Sequence, residues 1–475
     1  MIGMALQTKR DKVAHLLRRA GLGASANEVA ELEKLGVEGA VDYLLDFEKV
    51  DEGFDLPIEP LARDGRVAPP AVALWWTARL LMTRRPLQEK MVLFWHDHFA
   101  CSGEKVTSGN MLYAQNQLFR RLALSDFSRI LTEVSKDPAM ILYLDTQTNV
   151  RGRPNENYAR EIMELFTLGE GNYTEADIQE AARAFTGWSI QRPPPSAAES
   201  ERLPVPTFVK RLRLHDGGNK RVLGKEGAFD GEDICRILVE HPACRRYIAK
   251  KLWEFFAYPD PEESVILAVS ERFFHSGYSI KAVLRYIFTR KAFYSEQAER
   301  ALHKSPVDFV VGAARALGIG RMLGGALQVA RTAGLRGLVV ARGLEQAMAR
   351  MGQRLLYPPS VAGWDGGAAW INSATMVERM KLADVLFGSA AGVRVGRGVP
   401  ARALFGDGPH EDVGRAIDHA MQVLDVRLQN EKRQILVEAV NNAGGTTALN
   451  DTTKSQAVAR DVARLVFSSP EYQFC

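Results

Sequence analysis

The sequence has few cysteines and no long apolar run, and both absences narrow the classes of protein it can encode. Its 475 residues include four cysteines, none of which forms a Cys-x-x-Cys pair with another. This spacing argues against a zinc ribbon or a redox dithiol, and the count is too low for a disulfide framework. We therefore expect buried free thiols in a reducing compartment.

The N-terminus also lacks the apolar segment that an export signal requires. The apolar residues at 1–6 give way to polar and charged side chains at 7–11, so no apolar core of a signal peptide is present. The apolar stretches elsewhere are too short and too interrupted to span a membrane. On this evidence we expect a soluble, cytoplasmic protein with no membrane span.

A large charge excess is missing as well. The chain has 61 basic and 57 acidic residues, without the basic stripe of a dedicated nucleic-acid binder. One local excess spans residues 202–225 and includes Lys220 and Arg221. It is either a solvated loop or hairpin, or a contact for an anionic substrate. Walker, dinucleotide-binding, kinase, G-x-S-x-G and H-E-x-x-H motifs are all absent.

Helical periodicity dominates what is present, and 46% of the residues are hydrophobic. The pattern predicts a mainly α fold, a large multi-helix orthogonal bundle with one small β-hairpin insertion. We expect the hairpin where two short β-type runs flank Asp216-Gly217-Gly218-Asn219. The predicted organisation is an N-terminal three-helix unit, a central helical region, a Pro-rich loop with the hairpin, and a C-terminal helical region packed with the rest as one large domain, over residues 1–50, 70–190, 191–231 and 232–475.

Two histidines lie within an apolar run that ends in Phe94-Trp95-His96-Asp97-His98-Phe99. A His-x-His pair can hold one metal ion if the backbone is extended, so His96 and His98 are candidate ligands for a divalent cation. On an ideal helix, residues two apart point to nearly opposite sides, and the pair would then be core histidines satisfied by hydrogen bonds. Both interpretations remain open.

A second motif covers residues 154–169. Asn155 after Pro154 predicts an N-cap, and Gly169 predicts the end of the helix. The polar face carries candidate catalytic carboxylates and substrate-binding groups: Asn157, Arg160, Glu161 and Glu164. A Glu-x-x-Glu spacing places two carboxylates on one face, for acid–base work or metal ligation. The alternative is an exposed face with a salt bridge.

Two loops supply the remaining candidates. His215-Asp216, with Lys220, could be a general base with a substrate contact, or turn chemistry. Trp364 and Trp370 lie in a Pro/Gly-rich loop, where they either plug the core or form a stacking surface for a flat ligand such as a sugar.

These segments together resemble a bacterial family known as domain of unknown function 1800 (DUF1800). The resemblance runs from about residue 12 to 473. It is carried by the blocks at 15–21, 94–99, 136–145 and 155–169, by 173–177, 184–188, 215–216 and 304–306, and by 351–353, the Trp364 loop and 469–472.

The resemblance implies that the polar motifs recur together, so His96, His98, Glu161, Glu164, His215 and Asp216 are expected to converge. Family members are often exported, and their genes often neighbour a sulfatase-like family (DUF1501-type). The family has no established catalytic residues that the resemblance could assign to positions in this sequence. We expect a hydrolase or group-transfer enzyme, metal-assisted if a divalent ion binds, acting on an anionic or carbohydrate-like substrate. The alternative is a non-catalytic binding or scaffold protein that partners the sulfatase-like product.

Overall fold

A computed structural model describes residues 6–23, 25–193, 203–323, 334–388 and 399–475. Within these ranges the chain is mainly α-helical, with two small two-stranded antiparallel sheets, as the periodicity predicts. Residues 194–202 of the predicted Pro-rich loop lie outside the described residues. No helix in the described ranges is both long enough and apolar enough to cross a membrane.

The helices of the N-terminal half precede or flank the first sheet. They are α1 (Lys9–Ala20), α2 (Ala26–Leu45), α3 (Pro69–Met82), α4 (Pro86–His98), α5 (Gly109–Arg121), α6 (Phe127–Ser135), α7 (Pro138–Tyr143), α8 (Asn157–Met163) and α9 (Glu175–Ala184). Gly36 interrupts α2 with a positive φ of 75°, so this helix has two arms.

The helices of the C-terminal half follow the second sheet. They are α10 (Gly231–Glu240), α11 (Pro242–Phe256), α12 (Glu263–His275), α13 (Ile280–Phe288), α14 (Pro306–Ala316), α15 (Gly334–Arg350), α16 (Ser373–Phe387), α17 (Arg402–Phe405), α18 (Val413–Val423), α19 (Asn430–Asn442), α20 (Gly445–Asn450) and α21 (Lys454–Ser468). One buried apolar cluster runs through both halves.

The strands pair differently from the predicted hairpin. Strand β1 (Trp188–Gln191) pairs with β2 (Thr207–Lys210), and β3 (Lys220–Val222) pairs with β4 (Lys225–Gly227). The predicted pairing across Asp216–Asn219 is therefore wrong. The β3–β4 turn is Leu223-Gly224, where both residues have positive φ, as a type I′ turn requires. A Leu-Gly pair only weakly predicts a hairpin turn. The Asp-Gly-Gly-Asn segment is a turn of another kind, held by hydrogen bonds from the side chains of Arg183 and Lys220.

Helix α4 is the centre of the packing, because every residue in it except Asp97 is buried. Its apolar side chains account for this burial, but its polar side chains must then find partners inside the protein. Gln88 donates to the Arg120 carbonyl on α5 at 3.1 Å, and Lys90 donates to Asp308 on α14 at 2.5 Å. These bonds connect α4 to α5 and to α14, two different parts of the chain.

Glu89 makes more hydrogen bonds to neighbouring helices than Gln88 or Lys90 does. Its side chain is 0% exposed and accepts hydrogen bonds from Arg120 at 2.6 and 2.8 Å, from Arg79 at 2.6 Å and from the Trp76 indole at 3.1 Å. Burial alone would raise the pKa of Glu89, but the two guanidinium groups outweigh burial and hold the pKa at about 2. One carboxylate thus joins α3, α4 and α5.

We predict that Glu89→Gln lowers the free energy of unfolding by about 3–5 kcal/mol, because it removes the buried negative charge that the Arg79 and Arg120 guanidinium groups share. Chemical denaturation measures the loss. Glu31→Gln is the matched control, since Glu31 pairs with Lys34 in an exposed salt bridge and should change stability by less than about 1 kcal/mol.

The pH dependence follows from the same pKa. A carboxyl group with a lowered folded-state pKa stabilises the fold above its unfolded pKa, and the contribution is lost as pH falls through the folded value. The wild type should therefore lose stability between about pH 4.5 and pH 2, and Glu89→Gln should lose less over that interval. Parallel pH curves for the two proteins would contradict the assignment.

Candidate functional site

The glutamate motif forms a helix that changes its geometry halfway along. Helix α8 begins at Asn157, and the Asn155 side chain accepts a hydrogen bond from the Asn157 amide at 3.0 Å. From Glu164 to Leu168 the helix continues as a π-helical segment, which ends at Gly169 with φ 75°. Such segments are rare and often mark functional sites.

The π segment rotates the side chains that follow it. Thr167, which an α-helical pattern places on the polar face, is buried, and its hydroxyl donates to the Ile162 carbonyl five residues earlier at 2.5 Å. Two further carbonyls of the segment bind distant side chains. Tyr247 of α11 donates to the Leu165 carbonyl at 2.9 Å, and His98 contacts the Phe166 carbonyl at 3.1 Å. These bonds hold the segment in its π geometry.

Glu161 and Glu164 lie on either side of the α-to-π transition, and both are half-buried. Burial, followed by the charge of Glu164, raises the pKa of Glu161, while Arg160 partly opposes the shift. The Tyr173 hydroxyl donates to Glu164 at 2.5 Å. Two carboxyl groups one turn apart therefore have different environments: burial favours the protonated form of Glu161, whereas Glu164 accepts a hydrogen bond from Tyr173.

Asp97 and Lys251 lie on the neighbouring side of the π segment. Burial raises the pKa of Asp97 against the opposing effects of the Trp364 amide and Lys251, and burial lowers the pKa of Lys251 against the effect of Asp97. The Lys251 ammonium lies 5.3 Å from the centre of the Tyr247 ring, and Glu164 contributes to raising the pKa of Tyr247 to about 12, after burial. We call Asp97, Glu161, Glu164, Tyr247 and Lys251 the carboxylate cluster.

The two histidines do not share a ligand position. Helix α4 continues to His98, so the rings leave the helix in different directions. His96 Nε2 accepts from the Leu356 amide at 3.2 Å, whereas His98 Nε2 must donate to the Phe166 carbonyl. Burial lowers the pKa of His96 to about 4, and burial together with the charge of Lys251 lowers the pKa of His98 well below its usual range, which keeps both rings neutral.

The described residues contain no group of three or more His, Cys, Asp or Glu side chains that could hold a metal. The two rings also have different neighbours, since His96 lies against Trp364 and His98 against Phe166. A metal site at His96 and His98 therefore stays a prediction. Their bonds position the Leu356 loop and the π segment.

His215 and Asp216 lie in a different place, beside the end of α9. His215 Nδ1 bonds to the Thr186 carbonyl at 2.9 Å, and Arg183 binds Asp216 at 2.8 Å, which helps hold the pKa of Asp216 at about 2. The buried Lys220 ammonium donates to the carbonyls of Asp216 and Gly218 at 2.6 and 2.8 Å. These residues hold a turn, and the expected convergence with Glu161 does not occur through them.

The remaining predicted contacts are spread over several surfaces. Arg160 makes two hydrogen bonds to Glu175 and one to Glu156, and Asn157 is exposed beside it. The Trp364 amide donates to Asp97 at 2.9 Å, and the Trp364 ring lies 5.6 Å from that of His96. Trp364 therefore borders the carboxylate cluster. Trp370 is 8% exposed and packs as a core plug.

Sequence reasoning missed three members of the cluster, namely Asp97, Tyr247 and Lys251. Asp97 was visible as an acid in a buried run, but nothing in the pattern indicated its partner. Lys251 follows Lys250 in α11, and two adjacent lysines look like a solvent face. Only the packing of α11 against the π segment partly buries the second one.

A separate cleft of 820 Å³ lies between α2, α3 and α14. It is closed on one side by the Glu28–Arg315 salt bridge at 2.6 Å, and Arg84 and Tyr43 line it. No residue of the carboxylate cluster lines this cleft.

Comparison with known proteins yields one match. The family model described as "Protein of unknown function (DUF1800)" matches residues 15–474. No curated protein and no solved structure matches the chain.

We predict that Glu161→Gln stabilises the protein at pH 8, because a carboxyl group with a raised folded-state pKa opposes folding once it is ionised. The gain should be a few tenths of a kcal/mol, since solvent screens a half-buried group, and it should vanish below the ordinary glutamate pKa of about 4.3. Thermal unfolding across pH measures it.

Glu175→Gln is the control, because the pKa of Glu175 is shifted in the opposite direction to that of Glu161. Arg160 lowers the pKa of Glu175, so this substitution should not stabilise the protein at pH 8. A Glu161→Gln variant that is less stable than wild type at pH 8 would contradict the environment assigned to Glu161.

Proposed function

Since the chain belongs to the DUF1800 family, which has no assigned function, we propose from the carboxylate cluster that it is a hydrolase or group-transfer enzyme with Glu161 as its acid–base group. The substrate class we propose is anionic or carbohydrate-like. The proposal concerns the reaction type, and it requires no metal ion at His96 and His98.

The observation that carries this proposal is the pair of half-buried carboxyl groups at the α-to-π transition. Burial and Glu164 raise the pKa of Glu161, so this group holds a proton nearer to neutral pH than an ordinary glutamate does. A general acid works best when its pKa approaches the working pH. Structural ion pairs usually lower a carboxyl pKa, which distinguishes Glu161 from Glu175 and Asp216.

Neighbouring groups suggest the remaining roles. Tyr173 orients Glu164 by its hydrogen bond, so that Glu164 can accept a proton or position a nucleophilic water. Lys251 supplies the positive charge for an anionic group of the substrate, and Trp364 offers an apolar wall next to Asp97. In this arrangement the bond to the departing group breaks as that group takes a proton from Glu161. The attacking water or acceptor hydroxyl then forms the new bond and gives its proton back to Glu161.

The second candidate is a non-catalytic binding or scaffold protein that partners a sulfatase-like product. It is favoured by the observation that Arg160, Asp216 and Lys220 are engaged in salt bridges or carbonyl contacts within the fold. Polar side chains whose hydrogen-bonding groups are already bound within the fold stabilise the structure and are less available to bind a substrate.

The test is turnover of chromogenic carboxyl, phosphate and sulfate esters and of aryl glycosides by the full chain. On the best substrate, Glu161→Gln should lower kcat by about 100-fold or more, the usual contribution of a general acid or base. The wild-type rate should fall as pH rises through the raised pKa of Glu161. Glu156→Gln is the matched control, because Glu156 lies at the N-terminus of the same helix, is partly exposed and pairs with Arg160.

The outcomes separate the two candidates. Equal kcat for Glu161→Gln and wild type on a turned-over substrate would remove Glu161 from the mechanism. If no substrate class is turned over and the sulfatase-like protein is retained on an affinity column of this chain, the scaffold function replaces the enzymatic one.

A further inference from the structure

The cations of the basic run at residues 202–225 have different surroundings in the structure. Arg211 and Arg213 are exposed, and neither guanidinium group makes an ion pair or a hydrogen bond in the described part of the chain. The other described cations of the run have partners within the fold: Lys210 binds Asp230, Lys225 binds Glu240, Arg221 lies 3.9 Å from Glu226, and Lys220 donates to backbone carbonyls. Two arginines of the run are therefore left for a partner outside the chain.

A second exposed basic segment lies directly beside these two arginines. The Arg151 amide donates to the Leu214 carbonyl at 2.8 Å, and this bond holds the two segments together. The second segment turns at Gly152, where φ is 83°, and Arg151 and Arg153 on either side of the turn are exposed. Their guanidinium groups also make no ion pair or hydrogen bond with the residues that the structure describes. Four unpaired arginines thus lie on two adjoining segments.

The acids of the surrounding elements are bound to other cations. Asp216 and Glu180 bind Arg183, Glu156 binds Arg160, and Asp145 binds Lys105. Lys220 lies beside Asp216 as a further positive charge. Even when Glu175, the second acid bound to Arg160, is counted, the four exposed arginines leave a net positive charge at this surface. Such a surface attracts anions.

Two leucines are exposed between these arginines. The chain reads Arg211-Leu212-Arg213-Leu214, and residues 212–214 form a short 3₁₀ turn. Leu212 is 74% exposed, more than any other large apolar side chain that the structure describes, and Leu214 is 37% exposed. A single exposed leucine is ordinary, but an apolar area with a charged rim is typical of an interaction surface. We call Arg151, Arg153 and residues 211–214 the Arg–Leu patch.

The combination of leucines and arginines limits the kind of partner. A soluble polyanion, such as a nucleic acid or an acidic polysaccharide, neutralises the arginines but leaves the leucines in water. An apolar groove of a second protein covers the leucines but buries arginines that have no counter-charge, which is costly. The surface of an anionic bilayer provides both contacts, because the lipid phosphates lie directly above the acyl chains.

We propose that the Arg–Leu patch docks the protein on the surface of an anionic lipid bilayer. Leu212 enters the boundary between headgroups and acyl chains, Leu214 lies at the edge of that contact, and the four arginines bind lipid phosphates. The contact is peripheral and reversible. No residue of the patch belongs to the carboxylate cluster, so the docking surface is independent of the proposed enzymatic function.

The test measures cosedimentation of the full chain with vesicles of phosphatidylcholine, either alone or mixed with phosphatidylglycerol. The wild type should bind only the mixed vesicles, and added salt should weaken the binding because it screens the charges. Arg211→Ala combined with Arg213→Ala should lower the partition coefficient by about 25-fold, roughly five-fold for each arginine. Leu212→Ser should lower it by about ten-fold, because an apolar side chain is then no longer removed from water.

Matched controls remove the same chemical groups elsewhere on the surface. Arg236→Ala combined with Arg246→Ala makes the same change in net charge at two exposed salt bridges. Leu267→Ser changes a leucine of α12 that is 45% exposed. Both controls should bind the mixed vesicles as the wild type does. The patch variants should keep the wild-type Tm, because the replaced side chains are exposed, so a loss of binding is distinguished from unfolding.

Three results would overturn the proposal. Failure of the wild type to bind the mixed vesicles would remove the bilayer as a partner. Equal binding by the wild type and the patch variants would place the contact elsewhere on the protein. The third result combines binding to heparin, a soluble polyanion, with vesicle binding that the arginine variant loses and Leu212→Ser retains in full. This result would show a site for polyanions in general.

Discussion

The structure depends on the requirement that every polar side chain of a fully buried helix find a partner. Helix α4 is apolar almost all round, and its polar residues reach outward to different segments. Glu89 joins α3 and α5, Lys90 reaches α14, and His98 reaches the π segment. Because an unpaired buried charge or donor costs several kcal/mol, these bonds select one arrangement of helices around α4 among many that would bury similar apolar area.

The same requirement shapes the candidate site. The π segment leaves backbone carbonyls that an α-helix would satisfy internally, and His98 and Tyr247 bind two of them. These bonds fix the point at which Glu161 and Glu164 leave the helix. A histidine that resembles a metal ligand in the sequence thus acts on the carboxylates indirectly, through the backbone that carries them. Trp364 is positioned in a similar way, by the bond from its amide to Asp97.

Buried charge has two different consequences in this protein. Around Glu89 the guanidinium groups match one carboxylate closely and lower its pKa to about 2. Around Lys304 burial lowers the pKa to about 7, and the ammonium lies 3.5 Å from the centre of the Tyr472 ring. In the first arrangement the buried charge is matched by opposite charges. In the second, burial favours the neutral form of the lysine.

The sequence by itself determined the fold class, the family and many of the helix ends, because periodicity, N-caps such as Ser25 and stops such as Gly169 are local signals. It also marked Glu161 and Glu164 correctly as neighbours on one helix. It could not determine the strand pairing, since the Leu223-Gly224 turn carries a weaker signal than Asp216–Asn219. Only the tertiary structure decided that His96 and His98 diverge and that Lys251 is partly buried beside Asp97. Those outcomes depend on which distant segment packs against each side chain, and a local sequence pattern does not predict such long-range contacts.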